Sequence, residues 1–198
     1  MSRTRTHWSV SGGIALLALA GIVAAGPQLA WCDEADAEKK EESKSLEIGT
    51  AAPDFTLPDL DGKMVTLAER LKTGPVLLDF WALWCKPCLK SLPATEQIKK
   101  DYAARGVSVL AINTDSPRSS ANVKPYVKTN RFTFDVLLDP NNTLQRLYRF
   151  YRIPQLFLIA QDGTIAYSHL GFVPGSEKEV IAAIDKLLAA APAAPAGE

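Results

Sequence analysis

The chain has 198 residues, which is enough for one domain with a substantial core and two terminal extensions. Its 22 basic and 22 acidic side chains cancel, so no overall basic field indicates binding to nucleic acid. Three cysteines are too few for a disulfide-stapled scaffold, and two of them stand close together, which favours catalysis over architecture.

The first 32 residues have the pattern of a signal peptide. Arg3 and Arg5 form a positive start, and an apolar run follows over residues 14–25, with small residues at its end that suit cleavage. Because residues 6–32 contain no Lys, Arg, Asp or Glu, the segment also fits an uncleaved membrane anchor. Both alternatives place the rest of the chain in the periplasm or at the outer face of the cytoplasmic membrane. We expect membrane contact through this segment alone.

Two further segments flank the predicted domain, which covers residues 48–190. Residues 33–47 are rich in Asp, Glu and Lys and contain almost no large apolar side chain, so they predict a flexible charged spacer. Residues 191–198 consist mainly of Ala and Pro and predict a disordered tail. Cys32 could be lipidated after a small residue, but the bulky Trp31 precedes it, so we expect it to be removed or to be a bystander near the membrane.

The domain opens with a predicted β-hairpin, because Phe55 and Leu57 alternate with polar neighbours and Asp61-Gly62 favours a tight turn. After a short helix, Val76 to Trp81 is apolar on both faces apart from one carboxylate, as in a central strand covered by helices on each side. A helix over 86–104 with a kink near Pro93 is predicted next, followed by a parallel strand over 107–113, a helix over 122–129 and a strand over 134–137. The last predicted elements are a core-facing helical stripe of Leu144, Leu147, Tyr148 and Tyr151, strands over 155–160 and 164–170, and a final helix after Ser176. This order indicates an α/β sheet layered between helices.

Two cysteines lie at the junction between the central strand and the next helix, in the segment Trp84-Cys85-Lys86-Pro87-Cys88. Cys85 is expected just ahead of the helix with its sulfur exposed, where unpaired amides and the helix dipole stabilise a thiolate. Cys88 follows one turn later and is expected to be buried. Pro87 suits the first turn, where no amide donor is needed, and the charge of Lys86 adds a small further effect. A CxxC pair near a βαβ pattern predicts a thioredoxin-like redox site.

The alternatives for this pair are half of a zinc site and two unrelated core thiols. Zinc is usually held by four ligands, and the chain has no second CxxC and no paired histidines. His169 is the single histidine in the predicted exported part. We therefore expect neither a bound metal nor a bound cofactor.

The run from Asp79 to Cys88 closely resembles the active-site segment of thioredoxin. Residues 52–57 and 61–63, together with an insertion around 113–115, are more similar to the exported, membrane-tethered TlpA/ResA-like thioredoxins, which act in cytochrome c maturation and related reduction of envelope thiols. The resemblance covers about residues 48–190. It implies a thioredoxin fold, with a central mixed β-sheet flanked by helices, an N-terminal β-hairpin and a central insertion. It also implies thiol-disulfide oxidoreductase activity.

The resemblance further implies roles for individual residues. Cys85 would be the attacking thiol and Cys88 the resolving thiol, joined in the oxidised protein by a redox-active disulfide. Pro154 matches the cis-proline that lies beside the dithiol in these folds, and it would expose the backbone of Ile153 for strand-like pairing with a substrate. The alternative is an ordinary trans proline at the start of a strand. The family usually continues Pro-Thr-Thr-Phe, whereas this chain has Gln155, a departure within the substrate groove.

Three side chains of the CxxC segment complete the predicted substrate-binding surface. Trp84 is expected to shield the dithiol and to shape the docking surface, and the alternative is an ordinary core or rim aromatic. Lys86 and Pro87, between the two cysteines, are assigned to the same surface.

Asp79 is a candidate proton acceptor for Cys88. A carboxylate within an apolar central strand is costly unless it is solvated or paired, and burial should raise its pKa into a useful range. The matching aspartate of thioredoxin is assigned this role, and the alternative is a carboxylate that reaches solvent at a sheet edge. Many ResA-like proteins carry a Glu three residues after the second cysteine, whereas this chain has Ser91, so the proton relay resembles that of thioredoxin.

The sequence therefore predicts an extracytoplasmic protein-disulfide reductase that works by thiol–disulfide exchange. The family resemblance implies disulfide-bearing envelope proteins, such as apocytochrome c, as substrates and a membrane thiol reductant of the DsbD/CcdA type as electron source. The dithiol alone does not determine the direction of exchange, because the reduction potentials of CxxC proteins span about 150 mV.

Two other functions are alternatives to this prediction. A copper chaperone is one, because soft thiolates bind Cu(I), although Met64 is the only methionine beyond Met1 and no His/Met cluster accompanies the pair. A peroxidase is the other, because the opening of the domain also resembles peroxiredoxins. That chemistry uses a cysteine preceded by a Pro/Thr-rich loop instead of a CxxC pair.

Overall fold

The computed structural model describes residues 46–190. The predicted export segment over 1–32 with Cys32, the spacer as far as residue 45, and the tail over 191–198 lie outside the described residues. Within the described range, no helix has the length and apolar character needed to cross a membrane. Leu46 was assigned to the spacer but belongs to the domain, because its amide donates a hydrogen bond to Tyr148 O (3.4 Å) and its side chain packs against the core.

Strands and helices alternate along most of the described chain. The strands are β1 (Thr56–Pro58), β2 (Met64–Thr66), β3 (Val76–Trp81), β4 (Ser108–Asn113), β5 (Asp135–Leu138), β6 (Gln155–Ile159) and β7 (Ile165–Leu170). The α-helices are α1 (Leu67–Leu71), α2 (Lys86–Tyr102), α3 (Val123–Thr129), α4 (Thr143–Leu147) and α5 (Glu177–Ala190), with 3-10 helices at Ala103–Arg105 and Ser120–Asn122.

Strands β3 to β7 form one mixed sheet in the order β5-β4-β3-β6-β7. The β3–β4 and β4–β5 pairs are parallel and are joined by helical crossovers, whereas the β3–β6 and β6–β7 pairs are antiparallel. Strands β1 and β2 form the predicted N-terminal hairpin as a separate antiparallel pair. The segment between β4 and β5, with α3, lies where the central insertion was predicted. The predicted thioredoxin-like architecture is therefore confirmed.

The sheet separates two apolar cores, and β3 contributes to both because all six of its residues are buried. Leu77 and Trp81 belong to the core that includes residues of α2 and α5. Leu78 and Phe80 belong to the core on the other face. Since side chains alternate along a strand, Asp79 lies on the face of Leu77 and Trp81, which is covered by the helix that carries the dithiol.

The helical stripe predicted at residues 144–151 is only half right. Leu144 and Tyr148 are buried as expected, but Leu147 and Tyr151 are 41% and 62% exposed. The helix α4 ends at Leu147, and Arg149 then adopts a left-handed φ of 54°, which a continuing α-helix does not allow. The periodicity therefore extended past the end of the helix, into a loop that leads toward the dithiol.

Candidate active site

The two cysteines lie at the N-terminus of α2, after the short loop that follows β3. Cys85 occupies the N-cap position, with extended backbone angles of φ −87° and ψ 92°, and its sulfur accepts a hydrogen bond from the Cys88 amide at 3.2 Å. The two side chains form a disulfide, and their Cα atoms are 5.2 Å apart. A helix amide thus points at the sulfur on which a thiolate forms after reduction, which stabilises that charge.

Cys85 is less exposed than the sequence predicts. Its exposed fraction is 4%, against 0% for Cys88. The carbonyl oxygen of Ile153 lies 3.7 Å from Cys85 Sγ, so the loop before β6 covers the sulfur in the disulfide form. The expected open exposure of Cys85 is therefore wrong, whereas the expected burial of Cys88 is confirmed.

A buried carboxylate holds the loop in front of Cys85. Asp115 Oδ2 accepts hydrogen bonds from the Leu83 amide (2.7 Å) and from Asn113 Nδ2 (2.8 Å), and the Thr114 amide donates to Trp81 O (2.9 Å). Asp115 is 1% exposed, so these bonds are shielded from water. The end of β4 thereby fixes the position of the loop that carries the dithiol. In the sequence, this Asn-Thr-Asp segment stands out only through the family resemblance, and no local pattern indicates its structural role.

The Ile153–Pro154 peptide bond is cis, as the family resemblance implies. Pro154 is buried, and Ile153 is half-buried with its carbonyl oxygen facing the Cys85 sulfur. Gln155, the departure from the family pattern, is 2% exposed, and its Nε2 donates to Ser168 Oγ (2.9 Å) on β7. This side chain is therefore anchored within the sheet instead of forming the surface of the groove.

A groove of about 480 Å³ lies beside the dithiol, and its lining includes Trp84, Tyr151, Arg152 and Ile153. Trp84 is 67% exposed, which agrees with a rim position more than with a core position. Lys86 and Pro87 are also exposed. The structure therefore brings these predicted residues together around the two cysteines on an accessible surface.

Asp79 is 1% exposed in the middle of the sheet, where β3 pairs with Ala111 of β4 and Leu156 of β6. The alternative of a solvated carboxylate at a sheet edge is therefore wrong. Burial raises the pKa of Asp79 from 3.8 to about 6, while a hydrogen bond from Thr95 opposes the rise. The carboxyl is thus poised to exchange a proton near neutral pH.

Two residues further along α2 complete the surroundings of the dithiol. Ser91 is 6% exposed, and its hydroxyl donates to Cys88 O at 2.9 Å, so this side chain is bonded to the backbone of its own helix. Thr95 Oγ1 donates to Asp79 Oδ2 at 2.7 Å. Thr95 was not among the predicted site residues, although its spacing of two helical turns from Cys88 places both residues on one helix face.

The described residues contain no group of side chains that could hold a metal ion. Among residues 46–190, no group of three or more His, Cys, Asp and Glu side chains is arranged to hold one. His169, on β7, lies instead against the Tyr167 hydroxyl (3.3 Å) and Glu179 (3.6 Å).

The sequence pattern of the AhpC/TSA family matches residues 48–168, which include the hairpin, the dithiol and the cis-proline. The chain belongs to this family. The mixed sheet, the position of the dithiol at the N-terminus of α2 and the adjacent cis-proline give the chain a thioredoxin-like architecture.

Individual relatives narrow the assignment. The thioredoxin-like protein YneN of Bacillus subtilis (strain 168) is 34% identical over 135 residues, covering 68% of this chain and 78% of YneN. The thiol-disulfide oxidoreductase ResA of Bacillus cereus is 35% identical over 130 residues, covering 66% of this chain and 73% of ResA. A crystal structure from Chlorobium tepidum, described as a putative thiol:disulfide interchange protein DsbE, superposes with a TM-score of 0.67 at 35% identity, covering 73% of this chain and 99% of that one. The chain is thus a ResA-like thiol-disulfide oxidoreductase.

Proposed function

We propose that this protein reduces disulfide bonds of proteins outside the cytoplasm, with Cys85 as the attacking thiol and Cys88 as the resolving thiol. The observation that carries this proposal is the Cys85–Cys88 disulfide at the N-terminus of α2, next to the Ile153 carbonyl. A relative named thiol-disulfide oxidoreductase and a structure described as a putative thiol:disulfide interchange protein support the reaction class.

In the first step, the Cys85 thiolate attacks one sulfur of the substrate disulfide. A bond forms between Cys85 Sγ and that sulfur, and the substrate S–S bond breaks with its electron pair on the departing substrate thiolate, which takes up a proton. The N-cap position of Cys85 supports this step, because the amide of Cys88 stabilises the attacking anion.

In the second step, the thiol of Cys88 gives its proton to Asp79 and attacks Cys85 Sγ. The Cys85–Cys88 disulfide forms, the mixed disulfide breaks, and the second substrate thiolate departs and is protonated. Since the pKa of Asp79 is raised to about 6, most of this carboxyl is ionised at neutral pH and ready to accept the proton. Two electrons have then passed from the dithiol to the substrate.

The surface around the dithiol is suited to binding an extended segment of a substrate protein. Trp84, Lys86 and Pro87 form one side, and the backbone of Ile153 ahead of Pro154 forms the other, where a substrate strand would pair with it. The groove of about 480 Å³ beside Trp84 accommodates side chains that flank the substrate cysteine.

Location and partners are further parts of the proposal. The charged start and apolar run of residues 1–32 support export to the periplasm or the outer face of the cytoplasmic membrane. There the oxidised dithiol needs an electron donor, for which we propose a membrane thiol reductant of the DsbD/CcdA type. Envelope proteins with disulfides, such as apocytochrome c, are the proposed substrates.

The test is reduction of insulin by dithiothreitol with the full-length protein as catalyst. We expect activity in the wild type and in Cys32→Ser, and loss of activity in Cys85→Ser, because Cys32 takes no part in the exchange. In a Cys32→Ser background, Cys88→Ala should accumulate mixed disulfides with envelope proteins in cells, since the resolving thiol is absent. Mass spectrometry of these adducts identifies the substrates.

Three results would overturn the proposal. An inactive wild type that binds Cu(I) tightly and stoichiometrically would indicate a copper chaperone. An inactive wild type that consumes peroxide would indicate a peroxidase. Absence of any trapped adduct in the Cys88→Ala variant would contradict the exchange mechanism itself.

A further inference from the structure

The side chain of Thr95 is committed to the buried carboxyl of Asp79. Its Oγ1 donates to Asp79 Oδ2 at 2.7 Å, whereas Ser91 O, the helix carbonyl that a threonine hydroxyl often bonds, lies 3.5 Å away. Both partners are almost fully buried, with exposed fractions of 4% for Thr95 and 1% for Asp79. Water therefore does not compete for this hydrogen bond, and the bond holds one orientation of the carboxyl group.

The second oxygen of the same carboxyl is left unpaired. Asp79 Oδ1 is buried and has no hydrogen-bond partner among the described residues. A buried acceptor without a partner destabilises the fold, so an unpaired oxygen at this position calls for a functional reason. Because Thr95 occupies Oδ2, the oxygen that remains available to take up a proton is Oδ1.

Thr95 and Cys88 stand on the same face of α2, since seven residues correspond to about two turns. Asp79 lies on the face of the sheet that α2 covers, as its bond to Thr95 shows. The helix that carries the resolving thiol therefore also carries the hydroxyl that orients the proposed proton acceptor. Both groups therefore belong to one continuous helix, Lys86–Tyr102.

We propose that Thr95 is a positioning residue for the resolving step, whose hydroxyl holds Oδ2 of Asp79 and thereby presents Oδ1 to the thiol of Cys88. This inference rests on the proposed function. In the step, the Cys88 S–H bond breaks and its proton forms an O–H bond at Asp79 Oδ1. The sulfur electron pair then attacks Cys85 Sγ, and the bond from Cys85 to the substrate sulfur breaks with its electrons on the substrate.

The same hydrogen bond has a second consequence. A donor aimed at a carboxylate favours the ionised form, and here it opposes the effect of burial on the pKa of Asp79. Removing the hydroxyl should therefore raise this pKa further and leave less of the carboxylate free to act as a base at neutral pH. Thr95 thus sets both the orientation and the readiness of the acceptor.

In any titration, the signal of Asp79 must be distinguished from the signals of other titratable groups near this site. The paired neighbours in the sheet, Ala111 and Leu156, do not titrate. Cys85 and Cys88 lie on α2, and His169 and Glu177 line the small cavity that Thr95 also borders. Asp79→Asn identifies which signal belongs to the buried carboxyl.

The experiment compares full-length wild type, Thr95→Val, Thr95→Ser and Asp79→Asn in the reduced state. Infrared titration follows the protonated carboxyl band that Asp79→Asn removes, and rapid mixing follows the decay of the mixed disulfide across pH. We expect Thr95→Val to raise the Asp79 midpoint by about 1–2 pH units. The rate of resolution at pH 7 should fall by about two- to tenfold, because the ionised fraction falls accordingly. Thr95→Ser should restore both values, since it keeps the hydroxyl.

An Asp79 midpoint that is the same in Thr95→Val and wild type would overturn the proposal, as would a Thr95→Ser variant as slow as Thr95→Val. If Thr95→Val does not fold, Thr95→Ala removes the same hydroxyl and the same comparison decides. The infrared midpoint does not depend on turnover, whereas insulin reduction does. If the wild type does not reduce insulin but Thr95→Val still shifts the Asp79 midpoint, the proposed function is refuted and the coupling of Thr95 to Asp79 is not.

Discussion

The buried carboxyl of Asp79 makes the stability of the oxidised protein fall as pH rises. Burial raises its pKa from 3.8 to about 6, against the opposing hydrogen bond from Thr95. Between about pH 4 and pH 6, the folded protein therefore retains a proton that the unfolded chain has lost. The contribution of this group to stability is complete below pH 4 and is lost as pH rises through the folded pKa. A difference of about two pKa units corresponds to about 3 kcal/mol.

Asp79→Asn removes this titration and keeps the size and shape of the side chain. Relative to wild type, its free energy of unfolding should rise by about 3 kcal/mol between pH 4 and pH 8. Any constant cost of burying the amide is present at both pH values and cancels in this comparison. Urea unfolding of the disulfide form, followed by fluorescence and circular dichroism, measures the difference. Asp101→Asn, which removes an exposed carboxylate from α2, controls for the loss of one negative charge. Wild-type and Asp79→Asn curves that stay parallel across this range would refute the reasoning.

Three further substitutions test other parts of the structure. Burial opposes the ionisation of Glu96, but hydrogen bonds from Thr133 (2.7 and 2.8 Å) hold its pKa below the usual value. Glu96→Gln should therefore lower the free energy of unfolding by about 1–2 kcal/mol at pH 7, and by less as pH falls through that pKa. Asp115→Ala leaves the Leu83 amide without its acceptor and should destabilise the protein by about 2–4 kcal/mol in urea unfolding. Trp84→Ala, at a 67% exposed position, should change stability by less than about 0.5 kcal/mol and raise KM for insulin.

Each of these three predictions has its own control. A Glu96→Gln cost that is equal at pH 7 and at low pH would show that the ionised form is not what stabilises the fold. Asp115→Asn keeps an acceptor oxygen and should cost less than Asp115→Ala; equal costs would contradict the hydrogen-bond explanation. Trp84→Phe keeps an aromatic surface, so a KM increase as large as that of Trp84→Ala would contradict a role for the aromatic ring in substrate docking.

Most elements near the site follow from local patterns of the sequence. The apolar run of β3 extends over the predicted residues Val76 to Trp81, and α2 begins at the predicted Lys86, because burial on both faces and a proline in the first turn are local signals. The disulfide between Cys85 and Cys88 needs only one helical turn. The errors came where local patterns are weak: Tyr151 was predicted as core, but a left-handed residue ends the helical path before it.

What the sequence alone determined is the reaction class. A CxxC pair between a buried strand and a helix places two thiols within one turn, and the neighbouring residues carry the thioredoxin resemblance. Tertiary structure decided which distant residues contact the dithiol, its loop and the proposed proton acceptor. Thr95 and Asp79 are 16 residues apart, Leu83 and Asp115 are 32 apart, and Cys85 and Ile153 are 68 apart. Contacts between residues so far apart in the sequence depend on how strands and helices pack, which no local pattern encodes. These contacts affect the pKa of Asp79, fix the position of the loop before Cys85 and bury Cys85.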